Sequence, residues 1–156
     1  MYLKVIVFRI NTEEYGLDVS QVKSIERLQH ITIIPTSTEF IKGIINLRGS
    51  IIPIIDLRTR FGIKNIENND SMRIIVVAID NVELGLIVDS ANDIINIPAN
   101  AIETPPIVIS GNIDSYIDGI AKINERLLII LNPNNLLNIN EFKIIEQIGN
   151  DPQWTQ

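Results

Sequence analysis

Few side chains in this sequence could do chemistry. His30 is the single histidine, so any Ser–His–Asp site would rest on it alone, and no Gly-x-Ser-x-Gly elbow presents a serine. It sits in Gln29-His30-Ile31-Thr32, where a polar stretch turns apolar, and reads as an exposed loop residue. Two aspartates close apolar runs, in Ile54-Ile55-Asp56-Leu57 and Ile87-Val88-Asp89-Ser90. Paired carboxylates can share acid–base work, which makes a small β-barrel hydrolase one reading, provided the pair lies within about 10 Å. Against it, Asp89-Ser90-Ala91 lacks the glycine of an aspartic-protease loop, and aspartates at strand ends commonly cap turns. Cysteine is absent, which removes thiol catalysis, thiolate metal sites and disulfides. No histidine pair or spaced acidic loop suits a metal, and the eight glycines form no phosphate-cradling pattern. Elimination points to a binding module without substrate, metal or cofactor.

The elements that must carry those residues are short apolar runs. The longest, FIKGIINLRGSIIPIIDLRTRFG (Phe40 to Gly62), is interrupted by one charged bend, Arg48-Gly49. Such a run buries itself, so a charge at its bend faces outward. The β-branched stretches on either side predict the two strands of a hairpin. Two segments of the first half then recur. Tyr15-Gly16-Leu17-Asp18-Val19 is echoed 69 positions on by Leu84-Gly85-Leu86-Ile87-Val88, with Val22 and Ile25 opposite Ala91 and Ile94. Phe40-Ile41-Lys42-Gly43-Ile44 is echoed 76 positions on by Tyr116-Ile117-Asp118-Gly119-Ile120, with Leu47 opposite Ile123. The loop Pro98 to Ser115 absorbs the longer offset. Asp56 falls opposite Asn132, so the duplication places Asp56 and Asp89 in equivalent halves, well apart.

Strands are expected at Leu3–Asn11, Glu14–Leu17, Thr32–Ile34, Gly43–Leu47, Ser50–Asp56, Arg73–Ile79, Val82–Val88, Ile94–Ile97, Gly119–Ile123 and Arg126–Leu131. Asp18 or Ser20 is placed to cap a short helix over Gln21–Glu26. Pro133–Leu137 and Asn140–Ile148 read as helices, the second from its apolar spacing. Many short strands between turns predict an all-β chain with short helices, a small barrel or sandwich. One domain is expected over 1–149, with barrels near 10–64 and 72–131, a polar linker at 64–71, terminal segments able to cross between halves, and a disordered tail at 150–156.

The chain of 156 residues carries a net charge of −6 from 13 basic and 19 acidic side chains. A phosphate backbone is held mainly by Lys and Arg, and only eight aromatics are available for stacking, so nucleic acid is excluded as a partner. Hydrophobic residues make up 46% of the chain and mean hydropathy is +0.21, yet no segment supplies the ~20 apolar residues of a membrane span. The apolar part of Met1 to Arg9 is too short for a signal peptide, so a cytoplasmic location is expected.

Five motifs in order make the chain resemble the CheW-like coupling family of bacterial chemotaxis, from Lys4 to about Leu137. They are Glu14-Tyr15-Gly16-Leu17-Asp18-Val19, Pro35 to Gly43, Asn46-Leu47-Arg48-Gly49, Ile52-Pro53-Ile54-Ile55-Asp56-Leu57-Arg58 and Gly85-Leu86-Ile87-Val88-Asp89. The resemblance implies a CheW-like fold, two small five-stranded β-barrels packed around an apolar seam. It further implies a non-catalytic adaptor, monomeric when free, that joins the helical tip of a chemoreceptor to the regulatory domain of the histidine kinase CheA. Val22, Gly43, Arg48, Gly85 and Ile94 would lie on or near the receptor surface. Ser24 and Ile25 would meet the kinase, with Ser24 standing where family members often carry an acid. The alternative within this resemblance is a CheW-like domain of a larger CheA or CheV type protein, against which Met1 and the polar end after Gly149 suggest a complete chain.

Overall fold

The computed structural model describes residues 1–36, 38–63, 68–104 and 116–150. The strands are β1 (Tyr2–Ile10), β2 (Glu13–Asp18), β3 (Val22–Arg27), β4 (Ile41–Leu47) and β5 (Ser50–Asp56), followed by helix α1 (Leu57–Arg60). Then come β6 (Arg73–Ile79), β7 (Val82–Val88), β8 (Ser90–Pro98), β9 (Ile102–Glu103), β10 (Ile117–Ile123), β11 (Arg126–Leu131) and helix α2 (Ile139–Asn150).

One sheet has the order β8-β1-β2-β11-β10-β9 and the other β3-β6-β7-β5-β4. The duplication maps the first five strands of one order onto the five of the other, and among the described residues only β9 lacks a counterpart strand. The parallel pairs at the sheet centres show it: Ile54 opposes Gly85 in one, and Ile130 opposes Gly16 in the other. Even the bulges correspond, between Val22 and Ser24 against β6, and between Val7 and Phe8 where β8 meets β1.

Each sheet draws strands from both halves, so the stretches 10–64 and 72–131 are not the hydrogen-bonded units. β3 leaves its own half to pair with β6, and β8 returns to pair with β1. Neither half can complete its backbone hydrogen bonds alone, which makes the exchange a reason for the two halves to fold together.

The uninterrupted apolar runs follow from burial on both strand faces, as in covered sheets generally. In β6, Ile74 and Val76 point into the concave side of their own sheet, while Ile75 and Val77 point into a larger seam between the sheets. In β1, Val5 and Val7 fill the other sheet's interior, and Phe8 and Ile10 enter the seam. Each sheet curls until the chain leaving one edge reaches the opposite edge. After β8 the chain forms β9, which pairs with β10; after β3, Thr32 bridges Ile44 of β4.

Three expected elements differ. Gln21–Glu26 is not helical: a 3-10 turn at Val19–Gln21, capped by Asp18 accepting from the Ser20 N–H at 2.9 Å, leads directly into β3. Pairing with β6 overrides the capping signal there. Thr32–Ile34 contributes only the Thr32 bridge. Pro133–Leu137 shrinks to a 3-10 turn at Pro133–Asn135, and α2 starts afresh with a capping box in which Asn138 and Glu141 exchange two 2.8 Å hydrogen bonds. Asn150 ends α2, and the rest of the expected tail lies outside the described residues, as do 64–67 of the linker.

Candidate docking surface

Among the described residues, four hairpin corners hold a non-glycine residue at positive φ: Asn11 (58°), Arg48 (51°), Asp80 (53°) and Asn124 (55°). Asn and Asp tolerate the left-handed region through local side-chain hydrogen bonding. Arg48 has no such relief. Its backbone and that of Gly49 (φ 89°) form the two-residue turn between Leu47 and Ser50. The Arg48 side chain is 70% exposed and its Nη2 donates to Glu26 Oε2 at 3.3 Å. Glu26 lies on β3 and Arg48 beyond β4, the opposite edges of one sheet, so this pair spans the curl.

The bulge in β3 sorts its side chains. Val22 and Ile25 align with Val77 and Ile75 on the seam side, whereas Ser24 and Glu26 align with Val76 and Ile74 on the concave side. Ile25 is 38% exposed, and its counterpart Ile94 on β8 is 55% exposed. Val22 is half-buried against the seam core. Two edge strands therefore present equivalent isoleucines, while Arg48 bonds Glu26 on the opposite face of β3 from Ile25. Glu26 was not singled out by sequence; it lies two positions beyond Ser24 on the same face of β3.

Gly43 and Gly85 are buried, and each is fixed by packing. A Cβ on Gly43 would stand 2.0 Å from the Thr32 carbonyl oxygen; one on Gly85 would stand 2.7 Å from both Ile54 Cδ1 and Ile74 Cγ2. Both therefore lie beneath the surface.

Asp56 and Asp89 do come together, contrary to the separation expected from the duplication. The parallel pairing of β5 with β7 brings both strand ends side by side. Arg58 joins them: its Nε and Nη2 donate to the two Asp56 oxygens at 3.0 and 2.9 Å, and Nη1 donates to Asp89 Oδ1 at 3.4 Å. Asp56 and Arg58 are 3% and 4% exposed. Asp56 also caps α1, as its counterpart Asn132 caps the later 3-10 turn. These carboxylates are engaged by a guanidinium, in a geometry that braces structure. His30 is exposed in its loop.

Two further arginines organise the interior margins. Arg60 lies over the rings of Phe40 and Tyr116, the equivalent aromatics of the two halves, at 4.6 and 5.0 Å. Burial raises the Tyr116 and Tyr15 phenols above their ordinary range. Arg126 grips Glu14 with two hydrogen bonds of 3.0 and 2.8 Å, and that hydrogen bonding holds the Glu14 carboxyl below its ordinary value.

Taken together, two interlocked sheets with partly exposed isoleucines on their edge strands and an exposed arginine at a left-handed corner define an all-β, two-sheet domain. A family model, the CheW-like domain, matches residues 4–141. The chemotaxis protein CheW of Bacillus subtilis is 43% identical over 134 residues, covering 86% of each chain. That of Klebsiella aerogenes is 31% identical, covering 92% of this chain and 87% of the relative. The crystal structure of the scaffolding protein TtCheW from Thermoanaerobacter tengcongensis superposes with a TM-score of 0.82 at 42% identity, covering 90% and 91% of the two chains. The chain belongs to the CheW-like family.

Proposed function

We propose that this chain is a non-catalytic chemotaxis adaptor, which couples the cytoplasmic helical tips of chemoreceptors to the regulatory domain of the histidine kinase CheA. It works in the cytoplasm, is monomeric when free, and reaches membrane receptor arrays through its partners; no helix among the described residues is long and apolar enough to cross a membrane. The observation that carries the reading is Arg48, an exposed arginine kept at a left-handed corner within a family whose relatives are chemotaxis proteins.

A helix laid on this surface would use Val22 and Ile94 as apolar contacts and Arg48 as a donor of up to five hydrogen bonds. Gly43 and Gly85 would set the backbone positions beneath. Ser24 and Ile25 would meet the kinase, with Glu26 holding Arg48 in place. Few residues carry most of the energy in such interfaces, roughly 2 kcal/mol or more each on truncation. Co-sedimentation with a receptor cytoplasmic fragment and with the CheA regulatory domain tests this. Arg48→Glu is expected to lose the receptor and Ile25→Asp the kinase; retention of both partners by both variants would refute the assignment.

A further inference from the structure

Helix α2 fills a seat on one sheet whose counterpart on the other sheet holds no helix among the described residues. On the first, α2 lies across β5 and β7 with Ile145 and Ile148 buried, and Pro53 is buried beneath Gly149, where an added Cβ would touch its ring at 3.9 Å. The duplication places β11 and β2 at the corresponding position. There Ile129, the counterpart of Pro53, is only half-buried, and Leu127, the counterpart of Ile51 on the same strand face, is 58% exposed.

The reason lies in chain length. After β11 the chain passes Leu137 and Ile139 into a 12-residue helix. After β5 it passes the corresponding Phe61 and Ile63, then reaches β6 at Arg73, too soon for such a helix. Phe61 and Ile63 instead form one wall of a cavity of about 190 Å³ whose floor is Tyr15, Tyr116 and Ile129. Ring contacts line it, Tyr15 tilted against Phe61 at 5.5 Å and Phe61 stacked on Tyr116 at 5.9 Å. The volume falls below the usual range of small-molecule sites and suits inserted side chains. Glu13 is its one charged lining residue among the described residues.

We infer that the β2–β11 groove is a second docking site, and that its occupant is an amphipathic helix of a partner protein, with a basic residue flanking its apolar face to meet Glu13. This site is separate from the Val22, Arg48 and Ile94 surface and goes beyond the adaptor reading. The internal template is α2 itself, which lays buried Ile145 and Ile148 on the first sheet, with Phe142 and Ile144 half-buried beside them. A helix-in-groove contact of this kind needs only a few apolar anchors at helical spacing.

The test uses the full chain, isotope-labelled, titrated with an end-capped peptide copying residues 138–150. Expected are saturable shifts centred on Tyr15, Phe61 and Ile129, weakened at least about tenfold by Ile129→Glu and changed less than about twofold by Arg48→Glu, since 1.4 kcal/mol separates a tenfold step. If Ile129→Glu fails to fold, Leu127→Glu, at an exposed position, takes its place. Absence of shifts at millimolar peptide, or shifts confined to β5 and β7 where the peptide displaces α2, overturns the inference. Concentration-dependent self-association abolished by the same variants would assign the groove to a second copy and overturn it equally.

Discussion

Arg48 and Asn124 occupy the same corner of equivalent hairpins, at φ 51° and 55°. Asparagine suits that corner and arginine does not, so the first hairpin gives up stability for a side chain that points into solvent. Arg48→Asn is therefore expected to stabilise the fold by up to about 1 kcal/mol. The same change is expected to weaken partner binding at least about tenfold. Urea unfolding and receptor co-sedimentation on the same preparation check both halves. A variant that is more stable and binds normally would remove Arg48 from the docking surface.

Asp56 and Arg58 form the most buried ion pair among the described residues, with both side chains 5% exposed. Removing one partner strands the other charge in a low-dielectric site. Arg58→Met should cost about 3–5 kcal/mol, and adding Asp56→Asn should restore part of that, because Asn still caps a helix start. Asn132 does so in the other half, accepting from the Asn134 N–H at 3.0 Å. A single-variant loss below about 1 kcal/mol would match a solvent-exposed pair and contradict this burial.

Gly43 and Gly119 perform one task in the two halves, letting the closing segment cross β4 or β10. A Cβ at Gly119 would meet Ile102 Cγ2 at 2.6 Å and the Glu103 carbonyl oxygen at 3.0 Å, against 2.0 Å to the Thr32 oxygen at Gly43. A side-chain methyl can turn aside more readily than a backbone carbonyl can. Gly43→Ala should accordingly be the worse variant, exceeding the 1–3 kcal/mol typical of overpacking, with Gly119→Ala inside that range. Thermal unfolding of the two proteins gives the order, and equal losses would mean the crossing is not held by these contacts.

Much of this architecture was readable in the sequence because duplicated strands repeat their apolar residues at fixed offsets. Gly16 and Gly85 announced the central strands, and Gly43 and Gly119 the bulged ones. The exchange of β3 and β8 was not readable, since offsets report equivalence and say nothing about which copy a strand pairs with. The β3 segment was misread for a related reason: Asp18 does cap a turn, but a single 3-10 turn, after which β-branched Val22 and Ile25 pair across the halves. At the proposed docking surface, Arg48 stood out as a charge inside an apolar run. Glu26 did not, because an ordinary strand acid acquires its role only when the sheet curls β3 toward the β4–β5 turn. Arg58 was hidden inside a motif read for its aspartate.

Glu14 offers a pH test of the seam between the halves, because it sits on β2 while Arg126, which grips it, sits on β11 of the parallel pair. Hydrogen bonding to Arg126 is the largest cause lowering its pKa, opposed by burial and reinforced by the charges of Arg126 and Arg9. A carboxylate whose folded pKa lies below its unfolded value contributes stability above the unfolded pKa, near 4.3, and loses it as pH falls through the folded one. The fold should thus lose a definite increment of stability across and below pH 4.3, and Glu14→Gln should flatten that part of the curve while lowering the plateau at pH 7. Arg126→Gln should flatten it in the same way, since the partner is then gone. Urea midpoints measured from pH 3 to 7 decide it: parallel curves for the parent and both variants would show that this contact does not couple β2 to β11.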